Sequence, residues 1–509
     1  MSSPDALPVA KPAMPWVWLG VGSVCLSTIA KLELIGSGPD AEPDAYGHAL
    51  AARLLMENPA DLEVHWVWLP LGHVVSALLL ALGCGMDGMR YFNCVLTSFL
   101  ALGTARAIGR GSTGIEAEGV RWTAAAVVAL SPLSLSTGES GVLEPLFLGL
   151  VMASTCAIRR GHAITAGAIA ACAALLRYEG WFLPPVFLWI WWRSGRPRAA
   201  AWAWLLPLFT IGAYVALRAS VHGTALSFVR ANADFARSFY TDVAVLWPVQ
   251  ANVAWMSMWY AVIVPAVVLG PLMPFALAGT PWIVRHGPRP LTGALLAILL
   301  FLTLGFVARQ HMGLLRHALT LMPIYAIAAA AGLLAGARYL HRRLALARMD
   351  IERWTFACAV VALSVFAMSR TLPTFFARSS LHERVHHDDA LVAEALKAAW
   401  SERARVFCDV TAVETLSELP PRSFVRWKLP DTRALNMELE RARGHDVLVV
   451  STEARTHHLR KNLRELQAVG DVILYRYVST GAAVAEQADL RHSAPIAPYW
   501  RSPPPSSGL

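Results

Sequence analysis

The sequence is short of charge. Only 16% of its 509 residues are Asp, Glu, Lys or Arg, while 56% are hydrophobic; soluble proteins carry about 25% charged residues. Such a chain is not disordered, because disorder needs low hydrophobicity and high net charge. Nor does it have the composition of an ordinary soluble enzyme. Cysteine is scarce and unpatterned. Of seven, Cys25, Cys94, Cys156, Cys172 and Cys358 lie in apolar runs, leaving Cys84 and Cys408. With no Cys-x-x-Cys pair and no Cys/His spacing, neither a disulfide framework nor a zinc site is indicated. A Walker A loop and a Gly-rich dinucleotide fingerprint are also missing, and no internal repeat is visible.

What the chain does have is long apolar runs and 19 Trp, a residue that favours membrane interfaces. A spanning helix needs about 20 apolar residues. Candidate spans are 14–35, 91–109, 121–137, 143–158, 162–176, 180–193, 200–218, 259–283, 291–308, 317–336 and 354–370. No cleavage site follows the first, so it is expected to be retained. Basic clusters recur at every second loop: Arg106/Arg110/Arg121, Arg159/Arg160, Arg193/Arg196/Arg198, Arg285/Arg289 and Arg338/Arg342/Arg343/Arg348/Arg353. By the positive-inside rule these loops are cytoplasmic. The stretch 66–84 must then lie along the outer surface or dip in and return, because an odd number of crossings separates residue 36 from Arg106. The expectation is about 11 spans, with the N-terminus cytoplasmic and the C-terminus outside.

The net charge of +9 follows from this topology. Residues 1–370 hold 26 basic and 18 acidic side chains, and residues 371–509 hold 18 and 17. The excess orients the chain and gives no reason to expect a nucleic-acid partner. The first external loop, 36–90, is the reverse, with seven acids and two bases.

Residues 371–493 read as a small extracytoplasmic α/β domain. Strands are expected at Arg405–Asp409, Phe424–Lys428, Asp446–Ser451 and Asp471–Val478, with helices at 388–401, 432–443 and 455–468. A Pro/Ser-rich tail, 494–509, is expected to be disordered. Cys408-Asp409 and His457-His458 stand alone there and read as structural.

Ionisable groups at the outer ends of spans are functional candidates by default, because burying them at depth is costly. Asp44 follows Pro43 where a helix-like run begins, so it suits either a helix N-cap or a carboxylate base facing the membrane surface. Glu139 and Glu144 flank the next external turn. Arg177 and Glu179 occupy a turn beside Trp181. Arg316, before His317 and Pro323, has the planar guanidinium that suits phosphate oxygens. His65 and His73 bracket the Trp68-Leu-Pro70 stretch and are candidate substrate contacts.

In their order along residues 14–340, these features resemble a polytopic GT-C glycosyltransferase. The relatives in view are the bacterial relatives of protein O-mannosyltransferases and of lipid A aminoarabinose transferases. The resemblance is carried by Asp44-Ala-Tyr46, Trp68-Leu-Pro70, Arg90-Tyr-Phe-Asn93, Leu130-Ser131-Pro132, Leu143-Glu144-Pro145, Arg177-Tyr178-Glu179-Gly180 and Arg316-His317 leading to Pro323. It implies a membrane fold whose external loops form one cavity. It also implies transfer of a sugar from a polyprenyl-phosphate donor to a lipid, glycan or protein acceptor, among membrane lipids. The first-loop acid of such enzymes maps to Asp44 as base, and the second external acid maps to Glu144. Ala45 departs from the commoner paired-acid form and leaves Asp40 and Glu42 as substitutes. Arg316 is the first cation expected on the departing phosphate, with Arg90 and Arg177 behind it. A divalent cation would be compatible with two external acids, but nothing in the sequence demands one. A transporter or lipid flippase is the alternative, though transporters place their ionisable groups near the bilayer midplane, often in repeated halves.

Overall fold

Prolines set where most helices begin. In a computed structural model, described for residues 14–65, 67–108, 115–195, 203–222, 225–226, 229–233, 253–344, 350–384, 387–408, 410–420, 423–425, 446–452, 463–469 and 472–477, apolar runs bounded by Pro and Arg form a helical bundle. Its elements are α1 (Met14–Ser37), α2 (Pro43–Glu57), α3 (Pro70–Ala81), α4 (Gly88–Ala107), α5 (Ile115–Ala129), α6 (Pro132–Gly138), α7 (Glu144–Arg160), α8 (Ala163–Ala174), α9 (Leu183–Arg193) and α10 (Leu205–His222). There follow α11 (Val253–His286, broken at Gly270), α12 (Arg289–Val307) and α13 (Met322–Arg343). The bundle closes with α14 (Ile351–Phe366), which passes through a π turn into α15 (Leu372–Arg384). Proline is tolerated at N1 because that position needs no N–H partner, and α2, α3, α6 and α7 all use it there or one residue on.

Among the described residues five helices are long and apolar enough to cross a bilayer: Pro15–Ser37, Val253–His286, Arg289–Val307, Leu315–Arg343 and Ile351–Leu381. They account for five of the eleven expected spans. The other six runs form shorter or more polar helices. The run 121–137, for example, is cut by Pro132, with Ser131 Oγ capping α6 at Ser134 N–H. The stretch after Trp68 forms α3, whose 12 residues reach about 18 Å, too short for a bilayer core of about 30 Å. Outward faces are apolar, with Trp18, Ile29, Phe209, Val284, Leu300 and Val361 exposed. Patches of that kind suit lipid and would be aggregation sites in water.

Small residues let the bundle close. Gly279 in the second arm of α11 and Gly332 in α13 face one another's helices. A Cβ on Gly279 would lie 1.9 Å from Ala328 O, and one on Gly332 would lie 1.9 Å from Phe275 O. Backbones this close are a membrane-helix device, because lipid tails give no hydrophobic push and packing must supply the attraction.

The C-terminal segment forms α16 (His387–Ala399), β1 (Arg405–Cys408), α17 (Thr411–Leu416), β2 (Phe424–Val425), β3 (Val447–Thr452), β4 (Leu463–Val469) and β5 (Val472–Tyr477). The sheet order is β2-β1-β3-β5-β4; β1 runs parallel to β2 and β3, and β5 runs antiparallel to β3 and β4. Each of the four expected ranges contains strand among the described residues, Phe424–Lys428 at Phe424–Val425. The helix expected over 455–468 is corrected at its end, where residues 463–469 are strand. Leu463 and Leu466 have helical spacing, but pairing from Leu463↔Tyr477 to Val469↔Val472 overrides local preference. The helix expected at 432–443 and the tail 494–509 lie outside the described residues. Tyr46 of α2 is buried in the core of this segment with Val392, Leu396, Val413 and Leu474. Arg53 donates to the carbonyls of Thr415 and Leu419.

The first loop is fastened at two places. Asp40 accepts from Gly141 N–H at 2.6 Å, Ser140 Oγ at 3.1 Å and Glu42 N–H at 2.9 Å. Its carbonyl accepts from Tyr46 Oη at 2.8 Å. Beyond it, three buried imidazoles form a chain: His48 Nδ1 is 3.1 Å from His73 Nε2, and His73 Nδ1 is 2.8 Å from His65 Nδ1. Trp68 packs on His48 with ring centroids 4.5 Å apart. Burial pulls His48 down to about 3 and His65 to about 4, with the positive fields of Arg177 and Arg218 adding to it.

Two outcomes follow for stability. Gly332→Val should cost about 3 kcal/mol or more by overpacking, seen as earlier thermal unfolding in detergent. Gly336→Ala, where the nearest atom to a new Cβ is 3.7 Å away, should be tolerated. The histidines are held neutral in the fold below their ordinary 6.5. Their contribution is therefore complete above pH 6.5 and falls as pH drops toward 4, by at most about 1.4 kcal/mol per imidazole per pH unit. The apparent melting temperature should drop between pH 7.5 and pH 5, and His65→Gln should shrink that drop.

Candidate active site

Four chain segments that are distant in sequence meet at one end of the bundle. The N-terminus of α2 brings Glu42 and Asp44. Glu42, not Asp44, is the N-cap residue; Pro43 is N1 and Asp44 lies in the first turn, so the capping role considered for Asp44 is corrected. The Glu42 carboxylate makes no capping hydrogen bond and is free to pair elsewhere. The turn between α6 and α7 brings Glu139 and, at the first residue of α7, Glu144. A 3-10 turn, Tyr178–Phe182, follows Arg177 and carries Glu179. Another, Leu315–Leu321, leads into α13 and carries Arg316 and His317.

Arg316 joins three of the acids. Its Nη1 donates to Glu42 Oε2 at 2.8 Å, its Nη2 pairs with Asp44 Oδ2, and its Nε lies 3.3 Å from Glu144 Oε1. Arg177 holds Glu144 from the other side, with Nη1 to Oε1 at 2.8 Å, and donates to Glu179 Oε1 from Nη2 at 2.8 Å and from Nε at 3.1 Å. His317 Nε2 is 3.4 Å from Glu144 Oε1. Asp44, Glu144 and Arg316 therefore converge, as the sequence led one to expect, and Arg177 and Glu179 join them.

The network runs on through a residue that sequence reasoning missed. Arg378, on α15, donates from Nη1 to Glu42 Oε1 at 3.0 Å and from Nε to Glu139 Oε1 at 2.6 Å. Arg90 sits behind Glu139: its Nη2 is 3.6 Å from Glu139 Oε2, its Nε donates to the Glu139 carbonyl at 2.9 Å, and its Nη1 donates to Asp87 Oδ1 at 2.8 Å. Arg90 is thus fully buried scaffolding at the edge of the cluster, away from Arg316. His65 and His73 are turned into the imidazole chain and are not among the groups around Arg316. The signal for Arg378 was available, since a cation at the outer end of the last apolar run obeys the same rule that picked out Arg316.

Burial alone would raise the Glu42 carboxyl, but Arg316 and Arg378 outweigh it and hold the group below its ordinary value. Glu179 behaves the same way, with Arg177 overcoming burial. Asp40 goes up, because burial and the nearby Glu139 outweigh Arg90 and its hydrogen bonds. The open part of the cluster is the Arg316 side. Side chains of Glu42, Asp44 and Arg316 keep 23%, 19% and 15% of their exposure, against 0% for Glu139.

A divalent cation does not fit this donor set well. Asp44 and Glu144 both face the Arg316 guanidinium, which would repel it. Among the described residues no group of three or more His, Cys, Asp or Glu side chains is placed to hold a metal ion. The cluster sets the guanidiniums of Arg177, Arg316 and Arg378 among the carboxylates of Glu42, Asp44, Glu139, Glu144 and Glu179, with Asp44 partly exposed.

No protein-family profile matches the sequence, and no curated protein sequence matches it. Solved structures do. ArnT from Cupriavidus metallidurans bound to undecaprenyl phosphate superposes with a TM-score of 0.59 at 13% identity, covering 92% of this chain and 99% of that one. The apo form of the same protein gives 0.58 at 13% identity, covering 92% and 98%. The apo oligosaccharyltransferase of Archaeoglobus fulgidus gives 0.52 at 10% identity, covering 86% and 70%. The chain is therefore a multi-pass membrane protein with the fold that ArnT and the archaeal oligosaccharyltransferase share, the fold implied by its resemblance to GT-C enzymes.

Proposed function

We propose that this protein is a membrane glycosyltransferase that moves a sugar from a polyprenyl-phosphate carrier to an acceptor on the outer face of the membrane. The convergence of Asp44, Glu42 and Glu144 on the single guanidinium of Arg316 carries this reading. The fold shared with an ArnT that binds undecaprenyl phosphate supports the choice of carrier. The orientation that goes with it is a cytoplasmic N-terminus and an extracytoplasmic α/β segment, whose first described element is α16 at His387; the boundary expected at residue 371 falls within the helix that continues into α15.

In this mechanism the phosphate of the donor replaces carboxylates on Arg316, with Arg177 and Arg378 adjoining. The displaced Asp44 carboxylate takes the proton of the acceptor hydroxyl. The acceptor oxygen bonds to the anomeric carbon as the bond from that carbon to the phosphate oxygen breaks, which inverts the centre. The electron pair of the broken bond ends on the carrier phosphate, where the guanidiniums meet the developing charge. Glu144, held between Arg177 and Arg316, fixes the geometry of both cations.

Transfer should be measured in proteoliposomes with a panel of undecaprenyl-phosphate-linked sugars. Asp44→Asn should lower kcat about 10²–10⁴-fold, the worth of a general base, with normal protein levels and no weakening of undecaprenyl-phosphate binding. Full activity in that variant would remove Asp44 as base. Arg316→Gln should weaken undecaprenyl-phosphate binding at least tenfold and lower kcat about 10²-fold or more; unchanged carrier affinity would remove Arg316 as the phosphate ligand.

A further inference from the structure

On the other side of α2 lies a cavity of about 480 Å³, within the range of about 300–1,000 Å³ typical of small-molecule sites. Asp44 faces Arg316, while its neighbour Ala45 lines this cavity. The floor is made by Asp40, His48 and Ser76, all buried. The mouth carries Asp87 and Glu418, whose side chains are 51% and 64% exposed. Leu79, Leu80 and Leu416 supply apolar wall.

The polar groups select what can enter. An anion is repelled by Asp40, Asp87 and Glu418. The cation on the wall, Arg90, spends Nη1 on Asp87 and the Gly38 carbonyl and Nε on the Glu139 carbonyl. A cation gains little, because each acid is already served: Asp40 by two N–H groups and a hydroxyl, Asp87 by Arg90, and Glu418 by Lys397 Nζ at 3.2 Å. Among the described residues, two buried lining side-chain atoms make no hydrogen bond: Arg90 Nη2, whose charge is met by Glu139 Oε2 at 3.6 Å, and the neutral hydroxyl of Ser76. Ser76 Oγ lines the cavity, is buried, and has no hydrogen-bond partner. An unmet buried hydroxyl costs free energy that a ligand hydroxyl would return. Hydroxyl on the floor and aliphatic surface on the wall match the two faces of a sugar ring.

We propose that this cavity seats a neutral glycosyl unit of the acceptor, the size of a mono- or disaccharide. Resting on the transferase reading, it puts donor phosphate and acceptor sugar on opposite sides of the first turn of α2, the turn that carries Asp44 on its Arg316 side. Ala45 in place of a second acid keeps the cavity open at that turn.

The test uses the purified full chain in detergent, with methyl hexopyranosides followed by saturation-transfer NMR. Saturable millimolar binding is expected, and the corresponding hexose 6-phosphates should show none. Leu80→Trp, which fills the cavity from α3, should weaken glycoside binding at least tenfold and leave undecaprenyl-phosphate binding unchanged. Ser76→Ala should weaken it roughly two- to tenfold, the worth of one hydrogen bond, and it decides the matter where Leu80→Trp does not fold. Absence of glycoside binding to the wild type, equal binding of the phosphates, or glycoside binding unmoved by the variants would overturn the assignment. Transfer activity is read separately. An active wild type that does not bind glycosides removes the cavity proposal alone, whereas glycoside binding without transfer from any donor removes the transferase reading and, with it, the acceptor role of the sugar site.

Discussion

The Arg316 guanidinium, shared by three carboxylates, is the interaction on which this end of the bundle depends. Removing one partner from a buried ion pair leaves a charge that costs about 3–5 kcal/mol. The loops therefore cannot drift apart one at a time. Glu42 ties the first loop to Arg316 and Arg378, Glu144 ties α7 to Arg316 and Arg177, and Glu139 ties the α6–α7 turn to Arg378. A charged lattice is a poor source of net stability, but it is a good source of register, since each guanidinium accepts few geometries. It is also exchangeable. In the proposed mechanism a phosphate takes a carboxylate's place on Arg316, so the cation is not left bare, and the cost is the desolvation of the phosphate and the lost pairing of the displaced carboxylate.

The α/β segment belongs to this arrangement through α2. Tyr46 is two residues from Asp44 and is buried in the core formed by α16, β1, β3 and β5. Arg53, two turns further along α2, holds carbonyls at the end of α17. The helix carrying the proposed base is thus gripped from the bundle by Asp40 and from the α/β segment by Tyr46, which fixes both its position and its rotation.

Much of this was legible in the sequence. Ionisable residues at the ends of apolar runs are costly, so those present point to a site, and the rule located Asp44, Glu144, Arg177, Glu179 and Arg316 without knowledge of the fold. It failed for Arg378 because the run before it was taken to end at residue 370, whereas α14 continues through its π turn into α15. His65 and His73 were legible as unusual but not as partners, since nothing local says that two imidazoles eight residues apart will share a hydrogen bond. Strand β4 was hidden for a similar reason: its leucines have helical spacing, and its pairing partner β5 decides otherwise. The remaining six apolar runs were less sharply legible, because Pro132 cuts one of them and the polar side chains of α4 lower the average of another.

The pairing of Glu42 with Arg378 spans 336 residues. A ribosome adds about 5–20 residues per second, so roughly 20–70 s pass between the emergence of the acid and that of its counter-ion. Throughout that interval the nascent chain carries the acids of its first loop without the last of their cations. The acidic loop is thus an early-made half of a late-completed lock, and a chain truncated before residue 378 lacks the guanidinium that joins Glu42 to Glu139.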